Sequence, residues 1–267
     1  MATISLQSAA SALSALNTAM DVTSNNLANV NTNGFKPSRA NFQDLLYVER
    51  QQPGSRNSTG DQRPIGLFVG LGVQVSGTQI QFTQGPPVST DRELDIAIDG
   101  NGFFRVATPE RPGGFAYTRA GSFTRNSDGE IVLANDTGYR LEPNIAIPSN
   151  ARDLTIDRTG RVFARTPDAV EPQEIGVIEL TTFINPVGLR PVGQNLFEET
   201  AASGPPITGE PQTENFGGLL QGYVEGSAVD PTRELVDLIR IQRAFEMNSN
   251  TIRAADQTLQ TISNLRR

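Results

Sequence analysis

The sequence of 267 residues predicts an α+β fold, in which a long helix at each end of the chain flanks a mainly antiparallel all-β central domain. Three observations predict it: heptad-spaced apolar residues near both termini, alternating apolar and polar residues in the middle, and polar stretches rich in Gly and Pro between these regions. We expect the segments 1–36 and 230–267 to form a coiled-coil-like inner domain. An extended linker at 37–67 leads to the β domain, expected at 68–229.

The N-terminal segment carries an apolar stripe over four heptads. Up to Phe35 its only charged side chain is Asp21, whereas a surface helix of a monomer usually carries charged pairs. The pattern predicts a helix over 3–32 that other chains cover on several sides. Asn33 and Gly34 are expected to end it, because both tolerate the left-handed conformation of a helix C-cap. The stripe consists of Leu6, Leu13, Met20 and Leu27, followed at a spacing of three by Ala9, Leu16, Thr23 and Val30.

A second heptad stripe lies near the C-terminus. Asp230 is a favourable N-cap residue and Pro231 suits the first helical position, so a helix is expected to begin there. Two arrangements are open: an α-hairpin within one chain, or a coiled coil of the two termini stacked against neighbouring subunits. The uncharged first helix favours the second arrangement. The C-terminal stripe consists of Leu238, Phe245, Ile252 and Leu259, followed at a spacing of three by Ile241, Asn248, Ala255 and Ile262.

The middle of the chain has the pattern of short strands joined by tight turns. Residues 126–129 and 157–160 each place Gly where a hairpin turn needs positive φ. Residues 100–102 (Gly-Asn-Gly) are also expected to form a hairpin turn, since a phosphate-binding loop would need a further Gly or a Lys. Strand patterns begin at Leu67. Further strands are expected at 73–82, 95–99, 103–106, 130–132, 144–147, 153–157, 161–163, 175–182 and 195–199.

The composition excludes several classes of function. The chain contains no Cys and no His, so an ordinary zinc site, a thiol nucleophile or a His-based triad cannot be built. The net charge of −7 and scattered basic residues argue against a nucleic-acid partner. The first residues lack the basic region of a secretory signal peptide, and no apolar run is long enough for a membrane span.

Four neighbouring carboxylates, Asp91, Glu93, Asp95 and Asp99, leave one alternative class open. Paired carboxylates can act as acid and base on a glycan or bind Ca²⁺. The alternative is therefore a glycan-binding or glycan-cleaving β domain with a helical dimerisation stalk. Because Glu93 and Asp95 alternate with apolar residues, we expect them on the solvated face of a strand. We therefore predict no enzyme activity, catalytic residue, cofactor or metal site.

Several motifs resemble one protein family. Residues 24–36 (SNNLANVNTNGFK) resemble the N-terminal signature of bacterial flagellar axial proteins, the rod and hook family. Residues 95–106 (DIAIDGNGFFRV) resemble the β domain of that family, and 221–226 (QGYVEG) with 242–249 (QRAFEMNS) resemble its C-terminal signature. Further segments resemble the family at 41–47, 117–123, 126–132, 180–183 and 193–200, so the resemblance covers most of the chain, in the same order and with similar spacing.

The resemblance implies a structural subunit that forms a helical homopolymer in the periplasm. It implies export through the flagellar type III apparatus without a cleaved signal peptide. It also implies contacts with proximal rod proteins, with the hook protein or hook junction, and with the basal-body ring that acts as a bushing. Within the family the chain resembles the distal rod type, whose extra segment, thought to stiffen the rod, corresponds to 51–66. A proximal rod or hook-type subunit is the alternative, because Ser24, Ala228 and Asn250 depart from the common pattern.

The assembly interface is expected to combine the two apolar stripes with the Asn-rich end of the first helix. Asn side chains both donate and accept hydrogen bonds, so they can satisfy backbone groups where helices of different subunits meet. The expected interface residues are Leu6, Leu13, Leu16, Met20, Asn25, Asn26, Leu27, Asn29, Val30, Asn33, Gly34, Leu238, Ile241, Phe245, Asn248, Ile252, Leu259 and Ile262.

Overall fold

The chain folds into two compact units. The helical unit comprises Met1–Ala28, Ser38–Ile80 and Asp230–Arg267, and the β domain comprises Asn29–Pro37 and Gln81–Val229. This division differs from the expected one at both boundaries of the linker. The computed structural model describes residues 2–56, 62, 64–111, 113–167, 171–213 and 215–265.

Two long helices dominate the helical unit and confirm the α+β class. Helix α1 (Ala2–Ala28) and helix α2 (Pro231–Leu265) contact each other. Asp230 caps α2 as predicted, since its Oδ1 accepts hydrogen bonds from the backbone N–H groups of Thr232 and Arg233, at 3.0 and 3.3 Å. Both N–H groups belong to the first turn of α2, where no intrahelical acceptor is within reach.

Helix α1 ends four residues earlier than the predicted limit of 32. Beyond Ala28 the chain forms successive turns, in which Thr32 N donates to Asn29 O (3.1 Å) and Phe35 N to Thr32 O (3.2 Å). The side chain of Thr32 also donates to Asn29 Oδ1 (3.0 Å). Asn and Thr favour such local bonds over helix continuation, so the helix ends before the glycine that was expected to cap it.

A long antiparallel ribbon, residues 38–80, forms the rest of the helical unit. Strand β1 (Ser38–Asp44) pairs with β4 (Val73–Ile80), and β2 (Tyr47–Gln51) pairs with β3 (Leu67–Gly70). The prediction of an extended linker at 37–67 is therefore wrong for its strand residues. The backbone groups of these strands are satisfied by each other, which a local sequence pattern does not reveal. Residues 57–61 and 63 of the expected 51–66 stretch lie outside the described residues.

The β domain is built from short strands, and the pairings between its named strands are antiparallel, as predicted. A seven-stranded sheet runs in the order β16-β17-β8-β7-β15-β18, with β11 pairing with β7. A second sheet has the order β12-β13-β14, and three further pairs are β9-β10, β6-β19 and β5-β20. The strands are β5 (Pro87–Ser89), β6 (Ile96–Asp99), β7 (Phe103–Ala107), β8 (Phe115–Thr118), β9 (Phe123–Arg125), β10 (Ile131–Leu133), β11 (Leu141–Glu142), β12 (Asp153–Ile156), β13 (Arg161–Arg165), β14 (Gln173–Val177), β15 (Leu180–Thr182), β16 (Arg190–Gly193), β17 (Leu196–Glu198), β18 (Ile207–Gly209), β19 (Gly218–Gln221) and β20 (Tyr223–Glu225).

Two of the three predicted hairpin turns are confirmed. Gly129 (φ +85°) joins β9 to β10, and Gly160 (φ +86°) joins β12 to β13. The turn at 100–102 is not a hairpin, because β6 pairs with β19 whereas β7 pairs with β8, β11 and β15. The two positive-φ glycines of 100–102 therefore link different sheets rather than two paired strands. The predicted strand at 144–147 is also wrong, since only an isolated bridge between Glu130 and Ala146 forms there.

The core of the β domain lies between these sheets. Its largest fully buried side chains include Phe104 and Phe123, whose rings meet edge to face at a centroid distance of 5.1 Å. Apolar residues that alternate in β6, β7, β12 and β13 supply much of the rest. Burial of this apolar surface is the main force that stabilises the domain.

Candidate assembly interface

Helix α1 is covered by α2 and by the ribbon of its own chain. It contacts α2 as well as β1 and β4 of the ribbon. The buried side chains on it are small or polar: Ala9, Ala15, Ala19, Thr23 and Asn26. Small side chains let neighbouring elements approach closely, so part of the uncharged surface of α1 serves packing within the chain.

Two serines dock α1 onto the ribbon. Ser8 Oγ donates to Gly70 O at 3.4 Å, and the backbone N–H of Val73 donates to Ser11 Oγ at 3.3 Å. A Cβ atom on Gly72 would lie 2.1 Å from Ser11 Oγ. The serines of α1 therefore have a structural role that the heptad stripe did not reveal, because the stripe records apolar residues only.

Asn26 ties three elements of the helical unit together. Its Oδ1 accepts from Ser38 N (3.0 Å), and its Nδ2 donates to Ser38 O (2.8 Å) and to Glu234 Oε1 (3.3 Å). Ser38 begins β1 and Glu234 lies in the first turn of α2. Near the other end of the helices, Ile4 and Thr258 line one groove, so α1 and α2 run antiparallel.

The contact with Asn26 gives the helical unit a testable pH dependence. Burial raises the pKa of the Glu234 carboxyl, and the hydrogen bond from Asn26 only partly opposes this effect. Because the pKa of Glu234 is higher in the folded than in the unfolded protein, folding is favoured most below the unfolded-state pKa, where the carboxyl is neutral. The free energy of unfolding then falls as pH rises through the folded-state pKa of Glu234. We therefore expect Glu234→Gln to gain stability relative to the wild type as pH increases from about 4 to 7. Urea unfolding followed by helix circular dichroism measures the difference, and parallel pH profiles for the two proteins would contradict it.

Helix α2 leaves a second apolar face uncovered. None of its described side chains is buried, although the predicted stripe residues are mostly half-buried. Four apolar side chains outside the stripe are exposed: Leu235, Val236, Ile239 and Met247. The heptad stripe alone does not predict this face. A signal for it is nevertheless present in the sequence, because residues 235–241 contain five apolar residues, whereas a heptad stripe needs only two in seven.

The ribbon exposes further apolar side chains. Leu46 is 82% exposed and Phe68 51% exposed, and all five residues of β2 are exposed. Next to the ribbon, a groove of about 760 Å³ is lined by residues of α1, α2 and β3, including Leu67 and Ala255. Exposed apolar surface of this extent is typical of protein–protein contact sites. The exposed apolar residues of the ribbon are Phe42, Leu46, Tyr47, Val48, Ile65, Leu67 and Phe68.

The chain after α1, residues 29–37, belongs to the β domain, and we call it the exit segment. Asn195 Nδ2 donates to Asn33 O at 2.8 Å, and Gly34 N donates to Glu225 O at 2.7 Å. Gly34 has φ +70°, and a Cβ atom there would lie 2.7 Å from Ala120 N. This glycine is needed for its conformation and for its close approach to the neighbouring backbone.

Lys36 ends the exit segment in a buried ion network. Its Nζ donates to Thr83 O (2.6 Å) and to Glu225 Oε1, and Arg119 Nη1 lies 3.3 Å from Glu225 Oε2. All three side chains are buried. Burial lowers the pKa of Lys36, and the adjacent Glu225 opposes that shift. Local sequence patterns do not predict this network, because its members are distant in the chain.

The structure places the predicted interface residues in different environments. Asn26 and Gly34 are buried with partners in their own chain, whereas Asn25, Asn33 and Leu259 are exposed. The side chain of Ile262 lies outside the described residues. The remaining predicted residues are half-buried: Leu6, Leu13, Leu16, Met20, Leu27, Asn29, Val30, Leu238, Ile241, Phe245, Asn248 and Ile252.

The carboxylate cluster does not form a shared site. Asp95 is buried, so the prediction that it faces solvent is wrong. Its backbone forms an isolated bridge with Ser122 and its carbonyl oxygen accepts a hydrogen bond from Gly222 N, so neighbouring segments cover it. Asp99 instead pairs with Arg158 at 3.3 Å. Within the described part of the chain no cluster of acidic residues has the arrangement of a metal site. Neither helix, over its described residues, has the length and apolarity of a membrane span.

Comparison with known proteins agrees with this arrangement. Residues 6–36 match the family model described as "Flagella basal body rod protein", and residues 97–164 match "Flagellar hook protein FlgE/F/G D1 domain". Residues 220–265 match "Flagellar basal body rod FlgEFG protein C-terminal". The three matches coincide with α1 and the exit segment, with the middle of the β domain, and with β19 to α2.

Curated relatives extend the similarity to nearly the whole chain. Proteins named "Flagellar basal-body rod protein FlgG" are 46% identical in Caulobacter vibrioides over 98% of both chains, and 43% identical in Agrobacterium fabrum over 96% of both chains. The relative of the same name from Borreliella burgdorferi is 42% identical over 98% of both chains. The chain therefore belongs to the family of flagellar basal-body rod proteins.

Proposed function

We propose that this chain is a structural subunit of the distal rod of the bacterial flagellum, polymerising into the helical shaft that transmits torque from motor to hook. The relatives that cover nearly its whole length are named basal-body rod proteins, which supports a rod subunit. The observation that carries the proposal is the apolar surface that the helical unit leaves exposed on α2 and on the ribbon.

The distribution of this surface favours an open polymer. The stripe of α2 is half-buried, whereas its second face, at Leu235 and Ile239, is exposed. A helix with one face against its own chain and another face free can bind a different surface on the next subunit. Such head-to-tail contacts build helical filaments when the rotation between successive subunits does not close a ring. In the polymer the paired helices would form a coiled-coil-like inner layer, with the β domain outside it.

The remaining parts of the proposal follow from rod assembly. The subunit passes through the flagellar type III apparatus and polymerises in the periplasm. It then contacts proximal rod proteins, the hook or hook junction, and the basal-body ring that acts as a bushing. Residues 51–66 are the segment that stiffens the rod, and the exposed apolar residues of the ribbon that contains this segment pack against neighbouring subunits.

A single substitution tests whether the exposed face of α2 drives assembly. Ile239 is 49% exposed, so Ile239→Asp should leave the monomer folded but place a charge in a desolvated subunit contact. We expect normal circular dichroism and normal export, with loss of rods in electron micrographs of purified basal bodies and loss of swimming.

The matched control is Ile239→Leu, which keeps the apolar character and the approximate volume of the side chain. We expect this variant to form rods of normal length. Rods of normal length in the Asp variant would show that this face of α2 is not a subunit contact.

A further inference from the structure

The first and the last segments of the β domain meet each other in its structure. The first is the exit segment, and the last is a closing strap, residues 218–229, which contains β19 and β20. Strand β19 pairs with β6 and β20 pairs with β5. The two segments contact each other directly, because Gly34 N donates to Glu225 O (2.7 Å) and Ala228 N donates to Phe35 O (3.1 Å). The domain is therefore incomplete until its first and its last segments are both in place.

Glu225 is the centre of this junction. Its side chain faces two buried cations, Lys36 from the exit segment and Arg119 from the segment after β8. The backbone N–H of Gly85 donates to the same carboxylate at 2.8 Å. Among the ion pairs of the described residues, no other carboxylate reaches either cation. Each cation has one further acceptor, since Lys36 donates to Thr83 O and Arg119 donates to Gly100 O at 2.8 Å.

Two buried cations around one carboxylate make the alignment of the strap specific. If the strap shifted by one residue, Val224 or Gly226 would replace Glu225 and both cations would lose their counter-ion. An uncompensated buried charge is strongly destabilising, whereas the complete ion pair adds little compared with apolar packing. The network therefore penalises wrong alignments much more than it stabilises the correct one.

We propose that Lys36, Glu225 and Arg119 form a register lock that completes the β domain only when the exit segment and the closing strap pair in one alignment. This inference goes beyond the proposed function, because it concerns the closing of a single subunit before assembly. The lock also protects strand β6. Ile96 and Ile98 are fully buried in the domain, and without β19 this strand would present an open apolar edge, which promotes aggregation.

Hydrogen exchange in full-length Glu225→Gln tests the lock directly. The variant keeps the size of the side chain but leaves two buried cations without a counter-ion. We expect the amides of Gly34, Gly222 and Gly226 to exchange roughly a hundredfold faster or more. Amides of the β9–β10 hairpin, such as Gly129, should keep most of their protection, because their hydrogen-bond partners lie outside the exit segment and the strap.

Glu174→Gln is the matched control. It removes a solvent-exposed ion pair with Arg161 within the same domain, and we expect little change in exchange at any of these amides. The proposal is overturned if Glu225→Gln leaves the exchange of Gly34 and Gly226 unchanged. It is equally overturned if the variant accelerates exchange in the β9–β10 hairpin by the same factor, since Glu225 would then contribute only to general stability.

A second variant, Lys36→Met, tests whether the charges are coupled. If Glu225→Gln does not fold, Lys36→Met alone decides: we expect faster exchange at Gly34 than in the wild type, and unchanged exchange overturns the proposal. Lys36→Met removes one cation but leaves Glu225 paired with Arg119 and with Gly85 N, so it should accelerate exchange at Gly34 far less than Glu225→Gln does. The double variant should exchange more slowly than Glu225→Gln, because one uncompensated charge has been removed. If the two substitutions instead act additively, the charges are not coupled and the lock does not exist.

Discussion

Replacing Gly34 by Ala should destabilise the β domain by roughly 3 kcal/mol or more. Two effects add at this position. The φ of +70° is unfavourable for a residue with a Cβ atom, and that atom would lie 2.7 Å from Ala120 N and 2.9 Å from Ala120 Cα. Both neighbours are backbone atoms, which cannot move away as a flexible side chain can. Calorimetry or urea unfolding of the β domain measures the loss.

Gly114→Ala separates the two effects. Gly114 has a φ of +73°, nearly the same as Gly34, but no atom lies within 4 Å of the added Cβ. This variant should therefore lose only the conformational part, about 1 kcal/mol. Equal losses in the two variants would mean that the contact with Ala120 is not tight, and that the exit segment is held loosely in the domain.

Replacing Phe104 by Ala should destabilise the β domain by about 3–5 kcal/mol. The ring is fully buried in β7, and it packs edge to face against Phe123 at a centroid distance of 5.1 Å. The substitution removes apolar contacts and leaves a cavity that the surrounding strands can fill only in part, because β7 pairs with β8, β11 and β15. Thermal unfolding of the domain measures the effect.

Phe115→Ala is the comparison for Phe104. Phe115 begins the neighbouring strand β8 and is 39% exposed, with the Arg105 guanidinium 5.0 Å from the centre of its ring. We expect a loss of about 1 kcal/mol, because much of this ring is already in water. If the two variants unfolded at the same temperature, the core would not be centred on Phe104.

The features that the sequence predicts correctly depend on residues close together in the chain. The start of α2 follows from Asp230 and Pro231, which act within one helical turn. The hairpins at Gly129 and Gly160 likewise depend on a few consecutive residues. Local sequence patterns predict these features because the backbone hydrogen bonds of each one join residues that are close together in the sequence.

The features that the sequence does not predict depend on distant partners. Lys36 and Glu225 are 189 residues apart, and neither position is unusual in its local context. The part of the ribbon before Leu67 has the sequence pattern of a linker because many of its apolar residues are exposed, and its strands are stabilised by pairing with distant strands. The turn at 100–102 resembles a hairpin for the same reason, since its local pattern does not show that β6 pairs with β19 rather than with β7.

The Asn-rich end of α1 also combines two kinds of contact that its sequence does not separate. Asn26 is buried against Ser38 and Glu234 in its own chain, whereas Asn25 is exposed. Two adjacent residues of the same type on a helix can therefore differ, one being buried and hydrogen-bonded within its own chain and the other lying on the surface. A role for the exposed asparagines between subunits stays a prediction.

The absence of buried side chains along the described length of α2 has a thermodynamic consequence. A helix that is only half covered by its own chain gains most of its remaining stability from binding, and binding obeys mass action. The melting temperature of the helical unit should then rise with protein concentration, while that of the β domain should not. In a growing rod, each added subunit would become a ligand for the helices of the one before it.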